Sequence, residues 1–460
     1  MSTLVLLSLL GFLVLFLGAY GMKKILLPVV ITGLAAAFVL NAMDWNTTIT
    51  WFNMMLYDNY AVSFTGLMIL VVLMIMLLAT YHFRNEDSHI ADIYALMIFV
   101  LTGALVMVSY SSLVMLFIGI EILSIALYIL AGSRRMNLSS NEAALKYFLM
   151  GAFSSGFLLF GIALMFGVTN SFDLAVISDY VNDTDEIPVI FHTGVILIMI
   201  GLSFKIGVVP FHFWTPDVYQ GSPVLITAFM ATVVKTAGIA AFYRLYDTCF
   251  SAIAENSWYQ ILWVICAATI LLGNISGVLQ NETKRMLAWS SVAHAGYLLL
   301  PMLALNELSA SAIFYYSAAY SFASVTSFAV VMSLCGVNNE LPMDQFKGLS
   351  KNNPLLTFAL VISMFSLAGI PPLAGFFAKY FIFVNAMRAN LNIIVIIAIV
   401  GSLIGIYYYF RPVVYAFNND VPPLEKIRTN LAFNIVVIAG IMITLILGVF
   451  PDLVSGLPGN

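Results

Sequence analysis

The sequence predicts an all-α, polytopic membrane protein of about fourteen transmembrane helices, and three observations carry that expectation. Hydrophobic residues make up 62% of the 460 and charged residues only 9%, far from the balance of a soluble domain. Apolar runs long enough to cross about 30 Å of hydrocarbon recur along the whole chain. The basic residues between those runs are sorted onto alternate connections, as the positive-inside rule requires.

In order, the runs cover residues 4–20, 25–40, 61–81, 93–108, 113–131, 143–168, 189–210, 222–244, 258–280, 286–305, 308–334, 355–386, 391–410 and 431–449. The first has no basic residue ahead of it and no small-residue cleavage pattern after it, so it reads as a retained span and not a signal peptide. Connections after Tyr81 and Gln280 are short and charged, whereas those after Val108 and Leu305 are almost without polar residues.

Numbered alternately, one set of loops collects Lys23, Lys24, Arg84, Arg134, Arg135, Lys284, Arg285, Lys347, Lys351, Arg411, Lys426 and Arg428. The other holds only Arg244 and Arg388, together with an acidic stretch around Asp179, Asp183 and Asp185. An even number of spans with this asymmetry places both termini outside the cytoplasm.

Four basic residues remain inside spans, Lys146, Lys205, Lys235 and Lys379, and all are lysines. A lysine at mid-bilayer costs roughly 2.5–3.5 kcal/mol, so each demands a partner or a task. Unlike arginine, lysine readily changes its protonation state when buried. Glu121 is the acid that falls within a span, near the middle of the fifth, and His294 lies midway through the tenth. Several titratable groups at mid-depth read first as an ion or proton pathway.

Each of these residues has a structural alternative. Glu121 could hold two helices together as an ion pair or a protonated acid. Lys379 lies nine residues before Arg388, about 13 Å along a helix, within reach of snorkelling to the interface. Lys146 follows Glu142 by one turn, where a surface pair is natural. His212 either relays a proton from cytoplasmic water or caps a loop, and His294 is either a relay or a core histidine. Tyr315, Tyr316 and Tyr320 are expected to pack and hydrogen-bond helices rather than to line a path.

Gly207 and Pro210 interrupt the seventh run, and Gly369, Pro371 and Pro372 interrupt the twelfth. Breaks at that depth survive only inside protein or beside a watery cavity. The two lie five spans apart, which points to two inverted five-helix repeats with sites at the breaks. The expected division is an N-terminal three-helix segment 1–92, a first repeat 93–244, a second repeat 258–412 and a C-terminal helix 430–460.

Cys249, Cys266 and Cys335 are far apart, with no Cys-x-x-Cys spacing for iron–sulfur or structural zinc. The chain offers no glycine-rich nucleotide loop in a strand–helix setting and no extramembrane domain to hold a flavin, so it is expected to carry no cofactor of its own. Nothing in its charge pattern points to nucleic acid; its expected surroundings are the lipid bilayer and other membrane subunits.

The stretch 210–223, Pro-Phe-His-Phe-Trp-Thr-Pro-Asp-Val-Tyr-Gln-Gly-Ser-Pro, resembles the central motif of the antiporter-like subunits of respiratory complex I, in the form found in its N subunits. Glu121 in its apolar setting, residues 141–156 and residues 369–380 are similar to the same subunits. Lys379 is a glutamate in the sister M subunit, and the L subunit continues into a long lateral helix after the position of Val449. The resemblance implies that Glu121, Lys205, Lys235 and Lys379 form a proton relay, with Lys146 and His212 on the same polar axis. It also implies a translocase subunit in the bacterial inner membrane, beside an M subunit and small membrane subunits such as K. NADH, flavin, iron–sulfur clusters and quinone then belong to partner subunits. The alternatives are a subunit of a cation/proton antiporter and a purely structural membrane-arm subunit.

Overall fold

The computed structural model describes residues 1–83, 89–255, 258–335, 340–418, 422 and 424–457. Arg84, counted above among the basic loop residues, lies outside the described residues.

Among the described residues thirteen helices are long and apolar enough to span a membrane, beginning with Ser2–Ala19 and Lys23–Met43 and ending with Leu431–Val449. Two shorter helices, Pro354–Ala368 and Ala374–Arg388, follow one another where the twelfth run was expected. Apolar composition drives these segments into helices because backbone groups in hydrocarbon must be satisfied within the segment. A short hairpin pairs Ile49–Trp51 with Met55–Tyr57 and closes the connection between the second and third spans.

Helix starts are set by side-chain caps. Asp58 accepts from Ala61, Asn137 from Ser140, and Asn430 from Phe433, each satisfying a backbone N–H that the first turn leaves free. Glu282 does the same for Arg285 at the start of Thr283–Ala304. Spans then pack through small residues: a Cβ on Gly161 would come within 2.8 Å of the Gly194 carbonyl, and one on Gly103 within 2.8 Å of the Gly119 carbonyl.

The centre of the molecule is the eighth span, Val224–Ile253, buried along its whole apolar window, flanked by the tenth, Thr283–Ala304, the eleventh, Ser309–Leu334, and the third, Asn59–His82. The first, second, sixth and thirteenth spans turn broad apolar faces outward. A central span therefore needs no lipid-compatible side chains, and that is where Lys235 sits.

Two interruptions shape the interior. The seventh span, Val189–Ile206, stops at Gly207, whose φ of 72° favours glycine, and helix resumes only at Trp214–Gly221. Gly207 donates to the Phe204 carbonyl and Val208 to the Ser203 carbonyl, both at 3.1 Å, which closes the helix end in a Schellman motif. The twelfth ends identically: Gly369, at φ 88°, donates to Ser366 and Ile370 donates to Phe365. The backbone freed at the first break is met by side chains, Val209 N–H by Thr269 Oγ1 and the Phe204 carbonyl by Trp214 Nε1, both at 3.0 Å. A π-helical turn, Met230–Val234, directly precedes Lys235.

Two residues assigned above to loops are buried instead. Arg244 lies in the last helical turn of Lys235–Leu245, 7% exposed, with Nη2 2.5 Å from Asp58 and its guanidinium over the Tyr60 ring. Lys284 is buried in the first turn of the tenth span, where it donates to the carbonyls of Gln220 and Ser222 at 2.7 and 2.8 Å. Both sit at run ends, where a few polar residues in the sequence do not distinguish a connection from a buried helix terminus.

Candidate functional site

Lys205, His212 and Lys379 lie at or beside the two breaks, Lys235 and His294 lie on interior helices, and Glu121 and Lys146 lie on the fifth and sixth spans, Lys146 partly exposed. Lys205 occupies the final turn before Gly207. Its ammonium donates to Ser124 Oγ at 2.8 Å, and Ser124 is one turn beyond Glu121 on the fifth span, Leu113–Ala131. Glu121 is half-buried and accepts from Ser155 Oγ of the sixth span at 2.6 Å. No salt bridge joins Glu121 to Lys205 among the described residues, although the carboxylate lies within electrostatic range of the lysine.

Lys235 begins the helix Lys235–Leu245 and is 3% exposed. Its ammonium donates to both the backbone carbonyl and the side-chain oxygen of Ser291 on the tenth span. Ser291 Oγ accepts in turn from the Tyr320 hydroxyl at 3.0 Å. His294, one turn further, has both ring nitrogens engaged, Nδ1 with Tyr316 at 2.7 Å and Nε2 with Tyr409 at 2.9 Å. A neutral imidazole has one donor and one acceptor nitrogen, so the two hydroxyls play opposite roles. Ser290 bonds the same Tyr409 hydroxyl.

Lys379 lies just past the second break. Its ammonium donates to the Ala368 carbonyl at 2.7 Å and to Ser402 Oγ at 2.8 Å. The Ala368 carbonyl belongs to the end of Pro354–Ala368, where orphan carbonyls and the negative end of the helix dipole favour a cation. A cavity of about 10 Å³ lies between Lys379 and His294, lined also by Tyr316 and Tyr320. That is room for a single water molecule. The tyrosines hydrogen-bond neighbouring helices, Tyr315 to the Leu447 carbonyl at 2.6 Å, Tyr316 to His294 and Tyr320 to Ser291, and Tyr316 and Tyr320 also line this cavity.

On the side of the basic connections an ion-pair collar encloses the first break. Lys146 pairs with Glu142 at 2.7 Å and with Asp217 at 2.8 Å. Asp217 also takes Arg285 Nη1 at 2.8 Å, and the same nitrogen donates to Gln220 Oε1 at 2.9 Å. The short-range pair expected for Lys146 is present, but its second partner comes from 71 residues away. His212 stands inside the collar, its ring 5.2 Å from that of Trp289.

The geometry thus gathers five of the seven sequence candidates into two groups, with Lys146 and His212 near the first break. Lys205 with Ser124, Ser155 and Glu121 makes one; Lys235, His294 and Lys379 with Ser291, Tyr316, Tyr320, Tyr409 and Ser402 makes the other. Among the described residues no hydrogen bond joins Lys205 to Lys235, although Gly238 of the eighth span packs against Ile206. The hydroxyl partners and Asp217 were not singled out from the sequence. Ser124 follows Glu121 by three residues and Ser291 precedes His294 by three, a helical spacing that is their sequence signal.

A bundle of this kind, with lysines at two helix breaks and at the buried centre, is the architecture of ion-translocating membrane subunits. Residues 110–405 match the family described as NADH:quinone oxidoreductase/Mrp antiporter, TM, and the chain belongs to it. Within that family it is 40% identical to NADH-quinone oxidoreductase subunit N of Flavobacterium psychrophilum, over 99% of both chains. A chain in the structure of respiratory complex I from Thermus thermophilus with bound aureothin matches with a TM-score of 0.85 and 32% identity, covering 98% of each. The fold alone is shared with a chain of the Mrp complex from Dietzia sp. DQ12-45-1b, with a TM-score of 0.89 and 19% identity over 100% of this chain and 96% of that one.

Proposed function

We propose that the chain is the proton-translocating N subunit of a membrane arm of NADH:quinone oxidoreductase, and that protons move through Glu121, Lys205, Lys235, His294 and Lys379. The observation that carries this reading is the polar line Lys235–Ser291–Tyr320 and the water-sized cavity that joins it to His294 and Lys379. Hydroxyls both donate and accept, so such a line carries a proton in either direction. His294 lies within electrostatic range of both lysines.

Glu121 supplies the switch. The free energy of charging a buried lysine swings by roughly 4–7 kcal/mol as its surroundings change by several pKa units. Moving one proton against about 150 mV requires roughly 3.5 kcal/mol. A nearby opposite charge accounts for about 1–3 of those units, so neutralising or displacing Glu121 would bias Lys205 towards proton release by an energy of the same order as that cost. Glu121 is half-buried beside the outward-facing Ile118, Ile122 and Ile125, so in the assembled arm a neighbouring small membrane subunit, such as K, covers it. An M-type subunit adjoins the other end.

Redox chemistry on NADH, flavin, iron–sulfur clusters and quinone belongs to partner subunits and drives this chain through helix contacts. The two five-helix repeats, 93–244 and 258–412, give the breaks opposite access, and the basic face is cytoplasmic, with both termini periplasmic. Lys146, Asp217 and His212 then guard the cytoplasmic mouth. The test is Lys379→Gln in the assembled complex, followed by NADH-driven proton uptake into inverted vesicles. The relay requires uptake per electron to fall with assembly intact; an unchanged ratio would leave Lys379 a helix cap.

A further inference from the structure

Two buried ring nitrogens beside the first break have no hydrogen-bond partner among the described residues, Nδ1 of His212 and Nε1 of Trp289. His212 is only 5% exposed, and the two ring centroids are 5.2 Å apart. An indole N–H can only donate. A neutral imidazole has one N–H and one lone-pair nitrogen, and in the tautomer with the proton on Nε2 the unpartnered Nδ1 of His212 is the acceptor. In that tautomer a donor without an acceptor stands near an acceptor without a donor, and each would cost about 1–3 kcal/mol if left unmade. Water accepts one bond and donates the other, and with both bonds near 2.9 Å it bridges nitrogens up to roughly 5.5 Å apart.

The location gives that water a role. Trp289 is one helical turn above Arg285 of the collar and two residues before Ser291, the partner of Lys235. Two more buried hydroxyls without a described partner, on Ser203 and Thr215, continue the polar lining around the break. Thr215 Oγ1 lies 2.6 Å from where a Cβ on Gly207 would stand.

We propose that His212 and Trp289 together hold a water molecule, and that this water is the intake point at which protons pass from the cytoplasmic collar to the lysines. Trp289 positions the water and His212 takes the proton. An O–H bond of an arriving hydronium breaks as Nδ1–H forms, leaving water and imidazolium; onward transfer towards Lys235 returns the ring to neutral. This rests on the relay reading above and names where it is fed.

Two measurements on the whole complex test it. A cryo-EM map that resolves ordered water should show density within hydrogen-bond distance of both nitrogens; a well-resolved site with a side chain bridging them, or with nothing between them, overturns the proposal. Trp289→Phe keeps the ring and removes the N–H, and His212→Ala removes the acceptor. Each should slow NADH-driven proton uptake in inverted vesicles by about tenfold. Added imidazole should restore His212→Ala and not Trp289→Phe. Uptake unchanged in assembled complex, or no rescue by imidazole, contradicts the assignment. Lys235→Ala serves as the reference. If it abolishes uptake while both variants retain theirs, the intake site falls and the relay stands; if it too retains uptake, the relay falls first.

Discussion

Lys235 and Lys379 are held by hydroxyls and backbone carbonyls, with no carboxylate within salt-bridge distance among the described residues. A carboxylate would fix each lysine as an ion; a serine hydroxyl accepts from an ammonium and donates to a neutral amine with little rearrangement. Ser291 is therefore more than a helix contact. Ser291→Ala should lower coupled turnover several-fold at normal assembly, because the carbonyl that remains can only accept and offers no donor to the lone pair of the neutral amine. Ser291→Asp, which adds a fixed counter-charge, should stop proton uptake altogether. Both are read as the ratio of uptake to NADH oxidation in inverted vesicles. Arg244 provides the contrast, since it pairs directly with Asp58. Arg244→Met should destabilise the subunit by about 1–3 kcal/mol, discounted because Asp58 is 31% exposed, and should leave the per-electron stoichiometry of whatever complex assembles untouched. Thermal stability of the purified complex checks the first half of that expectation.

At the scale of elements, the two Schellman ends do the placing. Gly207 and Gly369 adopt positive φ and close the helices beside which the lysines sit, Lys205 in the last turn before Gly207 and Lys379 against the Ala368 carbonyl next to Gly369. A Cβ at Gly369 would stand 2.9 Å from Lys379 Cδ. Gly369→Ala should therefore combine backbone strain with a push on the lysine away from the Ala368 carbonyl. The expected result is a loss of proton uptake larger than the loss of assembled complex, measured by comparing vesicle uptake with subunit content on native gels. The breaks were legible in the sequence because glycine and proline inside an apolar run have few other meanings. The four lysines and Glu121 were legible because charge at mid-depth is costly. Their partners were not: serines are frequent in membrane helices, and which of them meets a lysine depends on helix rotation that composition does not encode. Asp217 was hidden for another reason, since both of its cationic partners, Lys146 and Arg285, are distant in sequence.

For the whole molecule, the eighth span matters most, because its complete burial shields Lys235 from lipid and from both aqueous faces. The fold is shared with a chain of an Mrp complex, and the difference between a proton path and a cation path rests on the lining. The proposed proton path would run through hydroxyls, imidazole and a cavity of about 10 Å³, the size of one water molecule. Replacing Na⁺ with choline in the vesicle medium should leave NADH-driven proton uptake unchanged. The positions of the membrane-spanning helices followed from the apolar runs, whereas the separation of Lys205 from Lys235 followed only from packing.

The most direct test of the relay is proton uptake per electron in inverted vesicles carrying Lys235→Ala, normalised to assembled complex. The account predicts that uptake per electron falls, or that coupled turnover is lost, while the complex still assembles. Unchanged stoichiometry and rate in fully assembled enzyme would contradict it and make Lys235 a structural residue.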